Sequence, residues 1–157
     1  MNGNLQHLKL DLNEDDLQTI IENVQIVIHC GAITTSNMFN EPLFKKAIEI
    51  NVRGTLELLR IAESIKELES FVYVSTVFSN CNRTHIGECF YDAPDNTDCL
   101  LSFVDLFNSN SSERIDYCTR EIIKEHPNLD TYTRAHAENI VNKFRKFPAA
   151  VVRPSIG

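Results

Sequence analysis

Three short runs rich in β-branched residues constrain this chain more than any other feature: Val24–His29, Ser70–Thr76 and Ala149–Arg153. Each reads as a strand. The segments between them carry apolar residues at helical spacing: Ala47, Ile50, Thr55, Leu58, Leu59 and Ala62 in the first interval, then stretches at 113–125 and 131–146. Strands alternating with helices pair in parallel through right-handed crossovers, so the spacing predicts an α/β fold with a doubly wound parallel sheet. At 157 residues the chain is one domain or a piece of one.

Local chemistry sets the element ends. Asn13 reads as the N-cap of a helix with Asp16 three positions on, and Leu17, Ile20, Ile21 and Val24 follow at helical spacing. Before it, Leu8-Lys9-Leu10 is a short alternating piece that reads as a strand end at Asp11. Cys30-Gly31-Ala32 stops the next strand in a tight turn, and residues 33–40 form a polar loop. A helix then spans about 41 to 64. Gly54 inside it costs about 1 kcal/mol relative to Ala, which close packing onto a neighbouring strand would offset. Residues 79–112, rich in Asn, Ser and Asp, read as one long irregular loop. Phe147-Pro148 breaks the last helix.

Composition removes several function classes. Formal charge is −7, with no basic surplus to neutralise phosphates, so nucleic acid is an unsuitable partner. The longest apolar runs are far below the roughly 20 residues of a membrane helix. Residues 1–20 are polar and acidic, unlike a secretory signal. The five cysteines (Cys30, Cys81, Cys89, Cys99 and Cys118) form no C-x-x-C, and the expectation is free thiols in a reducing, intracellular compartment. No metal site is expected.

Parallel α/β sheets bind ligands in the crevice beyond the strand carboxyl ends. Asp11, Cys30-Gly31-Ala32, Ser75-Thr76 and Arg153-Pro154-Ser155 all fall at such ends. A shared hollow above these four tips is expected.

Several segments in order carry a family resemblance: Asp15-Asp16-Leu17-Gln18, Val27-Ile28-His29-Cys30-Gly31-Ala32 and Ile50-Asn51-Val52-Arg53-Gly54-Thr55. Phe71–Asn80, Pro127-Asn128, Ala137-Glu138-Asn139 and Val152-Arg153-Pro154-Ser155-Ile156 continue it. Together they resemble the fatty acyl-CoA reductases, the alcohol-forming branch of the extended short-chain dehydrogenase/reductases. The resemblance implies NADPH-dependent reduction of a long-chain acyl-CoA through an aldehyde to a primary alcohol. Full-length relatives of that kind are expected at the peroxisome or endoplasmic reticulum membrane.

The same resemblance assigns roles. Thr76, with Ser75 as the second candidate, would donate a hydrogen bond to the oxygen that becomes negative. Asp11 and Leu12 would bracket the adenine. Cys30, Gly31 and Ala32 would lie beneath the ribose–pyrophosphate, and Pro154 and Ser155 beside the nicotinamide. Asn51 would tie neighbouring backbone together. A sugar-nucleotide epimerase relative shares the fold, but the Arg-Pro-Ser-Ile end argues against it.

Two departures from the family pattern matter. The glycines are Gly3, Gly31, Gly54, Gly87 and Gly157, and no G-x-x-G-x-x-G or G-x-G-x-x-G occurs. That loop supplies the backbone N–H groups for a pyrophosphate. The sheet is therefore expected to be incomplete, lacking the first βαβ unit and exposing an apolar edge through which copies self-associate.

The second departure lies in the helix before the last strand, where the family carries Tyr-x-x-x-Lys. Here Asp130 takes the Tyr position and Arg134, also expected at the nicotinamide ribose, takes the Lys position. Tyr132 and His136 share the four-residue spacing, but a two-residue offset turns a helix by about 200°, away from the cofactor. An Asp is ionised at neutral pH and has no proton to give, and an Arg holds its proton too tightly to relay it. The plainer reading of Asp130–Arg134 is an exposed intrahelical ion pair. His126 and His136 read as surface or helix-end residues, and Tyr91 and Tyr117 as crevice-edge or core residues. The expected outcome is a chain that does not turn over acyl-CoA alone. Its rival is a non-catalytic α/β remnant that binds a partner or a lipid.

Overall fold

Residues before the first helix do not form a strand. In the computed structural model, which describes residues 1–34, 41–106, 121–123, 125–144 and 146–155, Leu8–Asp11 is a tight 3₁₀ turn. Lys9, Leu10 and Asp11 have φ of 50°, 57° and 57°. Three consecutive side-chain-bearing residues in the left-handed region cost about 1–2 kcal/mol each. A strand needs a ladder partner, and among the described residues none lies beside this segment. Its backbone groups pair locally instead: Asn4 N–H donates to Leu10 O (2.7 Å) and Leu10 N–H to His7 O (3.0 Å). Asp11 is therefore not a strand tip.

Helix α1 (Glu14–Asn23) begins as its sequence dictates, with Asn13 Oδ1 accepting from Asp16 N–H at 2.7 Å. Three acids in the first turn suit the positive end of the dipole. Strand β1 (Ile26–His29) follows. Helix α2 (Glu41–Ala47) runs into a π-helical stretch, Ile48–Arg53, and on into α3 (Gly54–Ser64). The predicted helix over 41–64 is thus continuous but locally widened at Asn51. Gly54 packs against the N-terminal segment rather than a strand, since a Cβ there would lie 2.7 Å from Leu5 O.

Strand β2 (Ser70–Val74) leads into a 3₁₀ turn, Val77–Asn80. The stretch read as one irregular loop contains helix α4 (Thr97–Leu106). Asn96 caps it, accepting from Asp98 and Cys99 N–H at 3.0 Å each, and Leu100 and Val104 bury one turn apart. Of the predicted 113–125 helix, residues 121–123 are helical, while 113–120, with Tyr117 and Cys118, lie outside the described residues. Helix α5 (Leu129–Lys143) starts two residues early because Asn128 Oδ1 accepts from Thr131 N–H at 2.9 Å. Strand β3 (Ala149–Val152) closes the order.

Among the described residues the sheet has three strands, all parallel, in the order β1-β2-β3. Val27 pairs with Phe71 and Phe71 with Ala149; His29 pairs with Tyr73 and Tyr73 with Val151. Both crossovers run the same way across the sheet, and right-handed crossovers then put their helices on one face. That face holds the core, where Phe71, Tyr73, Leu59, Ile48, Val52 and Val141 are fully buried. The other face stays open: Ile26, Ile28 and Val152 are 56%, 64% and 48% exposed. The incomplete parallel sheet is as expected, but its exposed apolar side chains lie on a face of the sheet and not at an edge alone.

Cys30, Cys81, Cys89 and Cys99 are free thiols. Among the described residues no helix is long and apolar enough to cross a membrane.

Candidate functional site at the strand tips

Helix α5 presents Asp130, Arg134 and Glu138 at successive four-residue steps, so they form one row along the helix. Arg134 Nε donates to Asp130 Oδ1 at 2.9 Å, and Arg134 Nη1 reaches Val74 O, the last carbonyl of β2, at 3.4 Å. The two side chains are only 11% and 19% exposed. The pair is thus not the exposed surface pair that the plainer reading expects; it is packed against the end of β2.

One turn on, Glu138 is the hub of the tips. Its carboxylate accepts from Ser75 Oγ (2.5 Å), Ser79 Oγ (2.6 Å) and Asn80 Nδ2 (3.2 Å). Arg153 closes the set, with Nη2 at 2.7 Å and Nε at 3.1 Å from both oxygens. The carboxylate raises the already high pKa of Arg153, which also donates to Gly87 O (3.2 Å) and Cys89 O (3.0 Å). One buried carboxylate thereby ties β2, β3, the turn after β2 and the 87–89 loop to α5. Sequence reasoning missed this role. The available signal was a charge set among Ala137, Ile140 and Val141 on a helix face.

The β1 tip is tied separately. Asn51 Oδ1 accepts from Ile33 N–H (2.8 Å), and its Nδ2 donates to Ile33 O (3.0 Å) and Thr133 Oγ1 (2.9 Å), the structural clasp expected of it. Thr55 spends its one hydroxyl proton on Asn51 O at 2.7 Å. His29 Nε2, 2.9 Å from Thr55 Oγ1, must therefore carry the proton. Burial, with the Arg134 charge nearby, holds His29 down to about 4.

Ser75 and Thr76 differ in what their protons do. The Ser75 proton is committed inward to Glu138. Thr76 Oγ1 accepts from Phe78 N–H at 3.3 Å, capping the next turn, and its own proton has no acceptor recorded among the described residues. Of the remaining site candidates, Cys30, Gly31, Pro154 and Ser155 are exposed at the tips, Ala32 is half-buried, and Asp11 and Leu12 belong to the N-terminal turn.

Residues 1–156 match the family model described as male sterility protein, an NAD-binding domain. The chain belongs to this family. Members of the male sterility family similar to it include the fatty acyl-CoA reductase 1 proteins of Pongo abelii (37% identical) and Homo sapiens (36%), each matched over 99% of this chain and 29% of the relative. The fatty acyl-CoA reductase wat of Drosophila melanogaster is 36% identical over 94% of this chain and 27% of its own. The chain thus spans less than a third of the curated relatives it matches. A solved terminal R domain from the myxalamid PKS-NRPS pathway superposes with a TM-score of 0.61 over 99% of this chain and 32% of its own, at 22% identity, which supports the fold alone.

Family membership implies a nucleotide cofactor, and the residues present do not fit one as they are folded. Leu5 Cδ1 approaches the β1 tip, 2.9 Å from where a Cβ at Gly31 would sit, while Gly31 itself stays exposed. A groove of about 640 Å³ does open beside β3, lined by Val77, Ile86, Cys89, Phe90, Val152 and Arg153 among others, but none of its lining comes from β1. Among the described residues this groove does not reach the β1 tip, and the tips of β1, β2 and β3 meet through α5.

Tyr132 and His136 do not replace the family pair. Tyr132 is fully buried, stacks edge-on with His126 (5.6 Å) and His136 (4.7 Å), and donates its hydroxyl to Asp95 Oδ2 at 3.0 Å. Burial and the Asp95 charge push its hydroxyl pKa up. His126 and His136 are buried, contrary to the surface reading: His136 lies on the inward face of α5, and His126, ahead of the helix, packs edge-on against Tyr132. Burial holds His136 down to about 4.

Proposed function

We propose that this chain is a partial NAD(P)-binding domain of the fatty acyl-CoA reductase type, and that alone it does not reduce acyl-CoA. The family reaction is read as NADPH-dependent reduction of a long-chain acyl-CoA to a fatty alcohol. The observation that carries the proposal is the Asp130–Arg134 ion pair at 2.9 Å, standing where the resemblance places a Tyr-x-x-x-Lys pair.

The residues divide the chemistry unevenly. Reduction turns a thioester carbonyl oxygen into an oxyanion that needs a hydrogen-bond donor and then a proton. Thr76 keeps a free proton and serves as the donor; Ser75 has already spent its own. Asp130, whose carboxylate accepts from Arg134 Nε, stands where a Tyr hydroxyl would donate and brings a repelling carboxylate toward a developing negative charge. Arg134 is engaged by Asp130 and by Val74 O. Incubation with NADPH and a long-chain acyl-CoA, followed by mass spectrometry of extracted lipid, is expected to show neither fatty aldehyde nor fatty alcohol. Either product overturns the proposal.

The open sheet face favours a second reading, a non-catalytic α/β module that acts by binding a lipid or a partner, including a second copy. Large apolar side chains exposed together on one face, Ile26, Ile28 and Val152, support it. Co-sedimentation with phosphatidylcholine vesicles and light scattering of the free protein test it. A monodisperse monomer that ignores vesicles overturns it.

A further inference from the structure

We infer that residues 84–96 form a strap that opens from α5 as a unit while the sheet stays folded, and that a row of side chains on the helix is its clasp.

The strap has little of its own to hold it. None of its residues is buried. Among the described residues, the backbone of 84–89 and 91–95 makes no backbone–backbone hydrogen bond. A segment with few buried contacts sits at the low end of local stability.

Its fastenings come from neighbouring elements. Tyr132, His136 and Asn139 stand at i, i+4 and i+7 of α5, so they share one face. Tyr132 donates its hydroxyl to Asp95 Oδ2 (3.0 Å), His136 Nδ1 meets Thr97 Oγ1 (3.0 Å), and Asn139 Nδ2 donates to Tyr91 O (3.2 Å). Arg153 adds its bonds to Gly87 O and Cys89 O. The strap is anchored at one end by the turn in which Arg83 N–H donates to Asn80 O (3.1 Å), and at the other by Thr97, the first residue of α4.

Closure carries a cost that opening removes. His136 Nε2 and Asn139 Oδ1 are buried without a partner, on the same two side chains that grip the strap. Water reaches both once the strap lifts, which offsets the bonds lost. Ile86, Cys89 and Phe90 belong to the strap and form one wall of the groove beside β3, so opening removes that wall. The Glu138 bonds to Ser75, Ser79, Asn80 and Arg153 do not involve the strap, and they keep the sheet tied to α5 when it lifts.

Histidine modification by diethyl pyrocarbonate, located by mass spectrometry in the full chain, reads the opening. His136 and His29 are both buried and both held down to about 4, so at pH 7 each is neutral and its rate reports access. His85, exposed in the strap, gives the rate of an accessible ring. His136 is expected to react at least tenfold more slowly than His85 and at least tenfold faster than His29. Its rate should not rise with urea below the unfolding transition, because local opening exposes little surface. Tyr132→Phe keeps the ring and deletes the bond to Asp95; Asp95→Ala deletes the same bond from the exposed side. Each is expected to speed His136 at least threefold and to leave His29 unchanged. Reaction of His136 at the His85 rate in the unmodified chain overturns the closed strap. His136 and His29 reacting alike, with the same urea dependence, overturn local opening. Variants that speed both buried histidines equally, or that leave His136 unchanged, overturn the clasp and the inference with it.

Discussion

Arg153 at the end of β3 and Glu138 in the middle of α5 form a buried ion pair, Nη2 to Oε2 2.7 Å, with side chains only 14% and 2% exposed. Removing one partner of such a pair leaves the other charge uncompensated, at a cost of about 3–5 kcal/mol. Arg153→Ala is therefore expected to lower the urea midpoint sharply, and Arg153→Lys, which keeps the charge but loses the fork, to lower it less. Equal midpoints for Arg153→Ala and the unmodified chain would contradict the hub.

Stability is expected to fall on mild acidification. His29 and His136 are each held down to about 4, below the ordinary value of 6.5, because burial disfavours their charged forms. The unfolded chain then binds more protons than the folded one between those values. The contribution of each is complete above pH 6.5 and is lost as pH falls toward 4, by up to about 3 kcal/mol per histidine. Denaturant midpoints measured from pH 7.5 down to pH 4.5 check this. Replacing His136 by Phe should flatten part of the slope.

Asn51 joins the β1 tip to α5 through three hydrogen bonds. Asn51→Ala leaves the Ile33 backbone N–H and the Thr133 hydroxyl short of a partner, at about 1–3 kcal/mol. Faster hydrogen exchange at Ile33, with the β2–β3 amides unchanged, is the expected signature.

Ile28 is 64% exposed on the open face of the sheet, so Ile28→Lys should change stability by less than about 0.5 kcal/mol. If that face mediates self-association, the same change should shift the light-scattering mass toward a monomer.

Much of the fold is written locally, and those parts were legible. The three β-branched runs, the Asn13 cap and the Pro148 break each act through near neighbours. The Leu8–Asp11 turn was not legible because strand formation depends on a partner, and nothing within the run says whether one is beside it. Helix α4 was hidden by its polar positions, although Asn96 followed by Asp98 and by Leu100 and Val104 carried a capping and burial signal. The site divides the same way. Asp130 and Arg134 could be read from a four-residue spacing, whereas the Glu138 hub draws its partners from 15 to 63 residues away. Leu5 at Gly31 joins the first residues to a strand tip, a contact that no pattern along the chain records.

The most direct measurement of the central claim is consumption of NADPH by the purified 157-residue chain in the presence of a long-chain acyl-CoA, followed by the absorbance of the reduced cofactor. With Asp130 and Arg134 bound to each other, the rate should equal that of the protein-free blank. A steady, enzyme-proportional rate above the blank would contradict the account.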